Sequence, residues 1–283
     1  MISIVMPTHK KRPLLYATLA SVFSQQEDFE FIVVDASPDR YFKNEYDRLF
    51  ENCSALKKHK NKKDRLKLII PQDGQRYPGK MKMLGFRNCV QDNDFVIFLD
   101  HDDFLYTDLL KHVKNACVQY PDTEIVTSQY TSMIYDNGYI YRNVKTYAGG
   151  SICGKAKIIT LGDVWFNFEK EQDLYDNIHP YKATLHPKIM KKQVLRDHRF
   201  SFIEDTERMD DFGWSVMSHA LTETHISLPG YVYVAYSKND PSNSCISSRK
   251  VSEKALEIRD ICKTYEKMLD SLGYIKHRNE YVL

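Results

Sequence analysis

Residues 94–104 read DFVIFLDHDDF, and the two halves of that stretch make opposite demands. Phe95 to Leu99 form an unbroken apolar run of the length of a buried strand. Asp100, Asp102 and Asp103 follow at once, with His101 among them. Like carboxylates repel one another and are costly to desolvate. A cation therefore belongs near the end of this strand.

The same pattern recurs upstream. ISIVMPT, residues 2–8, is a β-rich strand that Pro7 is expected to stop. RPLLYATLASVFSQ then predicts a helix, with Pro13 near its start and Leu15, Leu19, Val22 and Phe23 on one face. FEFIVVDAS is a second buried strand ending in Asp35, and YFKNEYDRLFENCSALKK reads as a helix. RLKLII is a third strand, GKMKMLGFRNCVQ a further helix, and FVIFLD the fourth strand. Nearly all-apolar strands alternating with helices predict an α/β fold, a mostly parallel central sheet flanked by helices. Such sheets bind ligands beyond the carboxyl ends of their strands. Thr8, Asp35 and Asp100 all fall at those ends.

After residue 105 the pattern changes. TDLLKHVKNACVQYP predicts a helix from a Thr107 cap to Pro121. IVTSQYTSMIYDNGYIYRNV alternates about DNG and predicts a β-hairpin. Residues 146–200 show weak periodicity. FIEDTERMDDFGWSVMSHAL begins with acids and continues as a helix, and YVYVAYS is the last strand. Val251, Ala255, Ile258, Cys262, Tyr265 and Leu269 give the tail a narrow helical stripe.

Composition bounds the function classes. The chain has 283 residues, 42% hydrophobic and 28% charged, with a net charge of +2, so nothing suggests a generally nucleic-acid-like surface. The exception is KKHKNKKDRLK, residues 57–67, with seven Lys/Arg and one His in eleven positions. It fits an anionic partner, and equally a solvated helix end whose cations favour the macrodipole. Six scattered cysteines form no C-x-x-C pair, so neither a zinc site nor a disulfide scaffold is implied. No apolar run reaches the ~18–20 residues of a membrane span. The first residues place charge after the apolar run, the reverse of a signal peptide, and a cytoplasmic location is the expectation.

Asp100 and Asp102, two positions apart at a strand mouth, can converge on one hard cation. Mg²⁺ or Mn²⁺ takes oxygen ligands and shares its shell with water and phosphate, so one or two carboxylates suit a metal that arrives with a diphosphate. His101 should point away from its neighbours. The alternative is an N-cap acid set ahead of FLYTDLL, although one cap needs one acid.

IVMPTHKK, FIVVDAS, GFRN, DHDD and IED occur in this order, and together they resemble family-2 glycosyltransferases of the GT-A (Rossmann-like) fold over roughly residues 1–245. The resemblance implies an inverting enzyme that moves a single sugar from a UDP-sugar to the hydroxyl of a glycan or other acceptor, with Mn²⁺ or Mg²⁺. It divides the chain into a nucleotide-sugar-binding half (1–105), an acceptor-binding and catalytic-base half (106–245) and a C-terminal helical extension (246–283). Pro7 and Thr8 should border the nucleobase and ribose. Asp35 should accept a hydrogen bond from the base, and Arg87 should bind the nucleotide. Lys80 aligns loosely with the nucleotide site. Asp100 should meet ribose or donor sugar and share the metal with Asp102, with Asp103 supporting the loop. Asp205 should be the base, with Glu204 beside it.

Each has a plainer reading. Asp35 can cap the turn that DASPD predicts. Lys80, Arg87 and Asn88 can be helix-surface groups, and Glu204, Asp205 and Glu207 can complement a helix dipole. Trp165, Phe166, Trp214 and the tyrosines at 231, 233 and 236 can stack a ligand or pack a core. The second strand lacks the paired acids common in the family. Tyr236 stands about where many relatives carry a metal-binding His; His219 and His225 lie earlier. A processive synthase's Q/R-x-x-R-W element is absent, which favours single-sugar addition. The other readings are transfer to modified nucleic acid or another polyanion through residues 57–67, and a non-catalytic nucleotide-sugar-binding homologue. A sugar nucleotidyltransferase is disfavoured, because PTHKKRP holds no glycine-rich phosphate loop.

Overall fold

The computed structural model of the chain describes residues 1–9, 14–72, 77–91, 94–136, 139–146, 157–160, 188–202, 221–222 and 224–237, with Asp210, Trp214 and Ser218. The first half of the chain runs β1 (Ile2–Thr8), α1 (Leu15–Phe23), β2 (Phe29–Asp35), α2 (Tyr41–Glu45), α3 (Leu49–Asn52), α4 (Ser54–Lys57), β3 (Leu66–Ile69), α5 (Pro78–Arg87) and β4 (Phe95–Phe98). It continues through β5 (Phe104–Leu105), α6 (Leu109–Gln119), β6 (Ile125–Asp136), β7 (Tyr139–Thr146), β8 (Lys157–Thr160) and β9 (Lys188–Lys191) to α7 (Lys192–Asp197) and β10 (Thr224–Ser237).

One sheet joins these strands in the order β3-β2-β1-β4-β9-β6-β10-β5, with β7 on β6 and β8 on β10. β3, β2, β1 and β4 are mutually parallel. β9 runs antiparallel between β4 and β6, and β10 is parallel to β6. The α/β, mostly parallel sheet is the one the alternating segments predict.

All seven residues of β1 and of β2 are buried, because helices cover both faces. Side chains alternate across a strand. Ile4, Met6, Phe31 and Val33 pack with Leu15, Leu19, Val22 and Phe23 of α1. Val5, Ile32 and Val34 face Met81, Met83 and Phe86 of α5 on the other side.

Several boundaries differ from the sequence reading. β1 runs through Pro7 to Thr8, with Pro7 paired to Val34 on β2. The β1–β4 pairing ends at Val5–Phe98, so the missing proline N–H falls outside that ladder. The helix expected over residues 41–58 is broken into α2, a 3₁₀ turn, α3 and α4, and Cys53 is extended between the last two (φ −101°, ψ 111°). α6 starts at Leu109, with no side-chain cap bond from Asp108. The DNG hairpin forms, with Asp136 opposite Tyr139. β10 is longer than YVYVAYS, and its register shifts between Leu228 and Val232, where Pro229 and Gly230 interrupt the ladder. β9, KIMK, carries too little pattern to be read from sequence. The tail stripe from Val251 onward lies outside the described residues.

Among the described residues no helix is long and apolar enough to cross a membrane. Cys53, Cys89 and Cys117 are free thiols.

Candidate functional site

The ends of three adjacent strands meet. Thr8 pairs with Asp35 across β1 and β2, and Ala36 N–H donates to Thr8 O at 2.8 Å. On the other side of β1, Leu99 N–H donates to Val5 O at 2.9 Å, which delivers Asp100 to the same rim. Pro7 and Thr8 are buried in this rim. The convergence expected for Thr8, Asp35 and Asp100 is therefore a property of the sheet.

Asp35 is 1% exposed and anchors its own turn. Its Oδ1 accepts from the backbone N–H of Ser37 at 3.0 Å and from the Ser37 hydroxyl, and Oδ2 accepts from Lys43 N–H at 3.1 Å. This is the turn-capping role that DASPD predicts.

At the end of β4 the chain turns, with Asp103 N–H donating to Asp100 O at 3.2 Å. Exposure alternates along the turn: His101 and Asp103 are buried, whereas Asp100 and Asp102 are half-buried. His101 thus points away from its acidic neighbours. Its ring stands edge-on to His9, centroids 5.7 Å apart, and its carbonyl accepts from Thr18 Oγ1 at 3.0 Å. Among the described residues no three His, Cys, Asp or Glu side chains stand together as a ready-made metal cage. Asp100 and Asp102 supply hard oxygen donors at one strand end.

A buried cation, Lys82, meets this cluster. Its side chain is 1% exposed, its Nζ lies 3.4 Å from Asp100 Oδ1, and it donates to Asp210 Oδ2. It also lies 5.8 Å from the centre of the Phe202 ring. Lys80 is half-buried two positions earlier on α5, about 200° around the helix, and so presents to a different face. Sequence reasoning missed Lys82 and Asp210. The available signals were the second lysine of GKMK and the second acid pair of FIEDTERMDD, Asp210 and Asp211.

Trp214 is fully buried and packs edge-on against Phe98 at 5.0 Å and against Phe200 at 5.2 Å. It is a core residue beneath the cluster and presents no surface for stacking a ligand. The side chains of the β10 tyrosines, Trp165, Phe166, His219, His225, Glu204 and Asp205 lie outside the described residues.

Arg87 is exposed at the other end of α5, about 7.5 Å beyond Lys82 along the axis. The chain there meets the amino-terminal ends of β1 and β2. Val90 N–H donates to Glu30 Oε1 at 2.7 Å, and Ser3 Oγ donates to the same oxygen at 2.6 Å. The structure does not bring Arg87 to the rim that holds Thr8, Asp35 and Asp100.

Five cations of the 57–67 run have local partners. Lys62 Nζ donates to Phe23 O at 2.9 Å and Gln25 O at 2.6 Å, capping the end of α1, and burial lowers its pKa. Arg65 pairs with Asp28 at 2.9 Å, Lys60 with Glu51 at 3.8 Å, and Lys67 donates to Asn88 O at 3.1 Å. Lys63 stands 5.2 Å over the Tyr46 ring. Lys62 is the member of the run that ties it most firmly to the fold.

The model of glycosyl transferase family 2 matches residues 3–199. The succinoglycan biosynthesis protein ExoW of Rhizobium meliloti (strain 1021) is 32% identical over 117 residues, 41% of this chain and 32% of that protein. The chain thus matches about a third of that relative's length. The crystal structure of S. aureus TarS 1–349 in complex with UDP-GlcNAc superposes with a TM-score of 0.67 at 19% identity, covering 95% of this chain and 66% of that one. The mannosyltransferase PcManGT from Pyrobaculum calidifontis, in complex with GDP-Man and Mn²⁺, gives a TM-score of 0.51 at 17% identity, covering 86% and 58%. At these identities the two structural likenesses concern the fold, which is GT-A.

Proposed function

Because the chain belongs to glycosyl transferase family 2, we propose that it moves a single sugar from a UDP-sugar to an acceptor hydroxyl with inversion. The observation that carries this reading is the meeting of Thr8, Asp35 and the Asp100–Asp102 turn at three adjacent strand ends. Asp35 is already fixed by its turn, so its carboxylate meets a nucleobase without reorganising. Asp100 takes ribose or donor sugar, and Asp102 holds a divalent cation. The two carboxylates fit Mg²⁺ or Mn²⁺, which complete their shell with diphosphate oxygens and water. A cation bound there supplies Lewis-acid stabilisation of the leaving diphosphate. Pro7 and Thr8 wall the nucleoside side, and Lys80, in the first turn of α5, is the looser nucleotide contact.

Transfer also needs a base for the acceptor hydroxyl. Asp205 takes that proton, with Glu204 orienting it, on the strength of the IED motif. The UDP choice is supported by TarS, which binds UDP-GlcNAc, and the metal by PcManGT, which binds Mn²⁺. The local partners of Lys60, Lys62, Lys63, Arg65 and Lys67 disfavour a polyanionic acceptor docked on that run.

The test is a thermal-shift screen of UDP-, GDP- and CDP-sugars with Mn²⁺, repeated on Asp102→Ala. A UDP-sugar that stabilises the natural chain and fails to stabilise the variant is the expected result. UDP affinity that is equal with and without Mn²⁺, or equal in the variant, overturns the metal assignment.

A further inference from the structure

We propose that Lys82 is a positioning residue for the donor: it holds Asp100 at the strand mouth and ties it to Asp210. The inference rests on reading Asp100 as a donor contact. An ammonium with a 1% exposed side chain is far from water and is costly there without charged or hydrogen-bonded partners. Its partners come from distant parts of the chain, Asp100 at the end of β4 and Asp210 more than a hundred residues later.

The lysine's own placement is rigid. Three residues on, Gly85 lies so close to β1 that a Cβ there would stand 2.3 Å from Val5 Cγ1. α5 is thus seated on the strand that runs to Thr8, which fixes the backbone from which Lys82 extends. Phe202 lies 5.8 Å from the ammonium, and it stacks edge-on with Phe98 of β4 at 5.0 Å. The clamp is therefore framed by the strand whose end it fixes. Asp100, with its side chain 39% exposed, is the member of the trio that reaches the rim, and Asp210 is buried behind it. One buried cation so sets the orientation of a rim carboxylate and joins it to the segment that continues toward Trp214.

A structural role alone predicts that removing the buried pair together is harmless, since no unpaired buried charge is left. The positioning role predicts a loss of donor affinity in that same variant. The test uses the full chain, with UDP-GlcNAc and Mn²⁺ as the probe, calorimetry for affinity and a thermal melt for the fold. Lys82→Met/Asp210→Asn is expected to melt close to the natural chain yet bind the probe at least tenfold more weakly. Lys82→Arg, which keeps the charge, is expected to stay within about threefold. A folded double variant that binds as the natural chain does overturns the inference while leaving the donor reading intact. If the natural chain binds neither this probe nor any UDP-sugar, the donor reading falls and this inference falls with it. Should the double variant not fold, Asp210→Asn alone decides: unaltered affinity in a folded protein overturns the tie.

Discussion

Gly85 of α5 rests directly on Val5 of β1, and a Cβ added there would stand 2.3 Å from Val5 Cγ1 and 3.2 Å from Val34 Cγ2. Both neighbours are fully buried, so neither side chain can swing into solvent. Gly85→Ala must lift α5 from the sheet. Overpacking of this kind costs about 1–3 kcal/mol, and roughly 2–4 °C of melting temperature goes with each kcal/mol in a chain of this size. A thermal melt checks the loss. Because Lys82 rides on the same helix, UDP affinity with Mn²⁺ should fall as well. An unchanged melt means that α5 does not depend on the close approach.

Asp35 anchors its turn, and the proposed function gives it a second duty that substitution can test. Asp35→Ala strips acceptors from Ser37 N–H and Lys43 N–H inside a turn where Asp35 is 1% exposed. Leaving buried donors unsatisfied costs about 1–3 kcal/mol, visible as a lower melting temperature. UDP affinity should fall further than the melt alone explains if, as proposed, the same carboxylate meets the base. Ser37→Ala removes one bond to Oδ1 and should lower stability without comparable loss of UDP binding. Equal UDP loss in the two variants would assign Asp35 to the turn alone.

The parts of this fold that were legible are those where one residue pattern has one packing solution. Phe29 to Asp35 and Ile2 to Thr8 are apolar on both faces, which only a covered parallel strand satisfies. The DNG signal likewise fixed its hairpin. What failed was local continuity and long-range polarity. The segment 41–58 has helical composition, yet Cys53 breaks it to let Leu56 reach the core. In the site, the acids at 100–103 stood out because three charges followed a buried strand. Lys82 did not, because a lysine's partner 128 residues away leaves no mark on its neighbours. Lys192, fully buried on α7 with its ammonium on Val90 O, was hidden for the same reason.

Arg87 and Lys80 make a matched comparison on one helix. Arg87 is exposed at the end of α5 that meets the amino-terminal edge of the sheet, whereas Lys80 lies in the first turn, at the strand-end side. Arg87→Ala should leave UDP affinity with Mn²⁺ within about twofold and the melt within a degree or two, as for most surface changes. Lys80→Ala should weaken UDP binding several-fold, consistent with loss of one charge-assisted contact. Calorimetry with UDP separates them. The reverse order would return Arg87 to the nucleotide.

On the proposed reading Asp205 serves the chemistry and Asp210 the placement of the donor, and kinetics can tell the two apart. Asp205→Asn removes a proton acceptor while keeping size and hydrogen-bonding capacity. It should spare UDP-sugar binding and lower transfer by about 10²–10⁴-fold, the usual worth of a positioned general base. A change in kcat with KM preserved is the signature of a contact made only in the transition state. Asp210→Asn removes the charge that pairs with Lys82 and should act in the opposite sense, raising the donor KM through Asp100. The measurement is UDP release from the donor found by the screen, with and without acceptor. If Asp205→Asn transfers at a near-normal rate while Asp210→Asn loses kcat at constant KM, the base belongs to the second acid pair, and IED is the first-turn acid set of a helix.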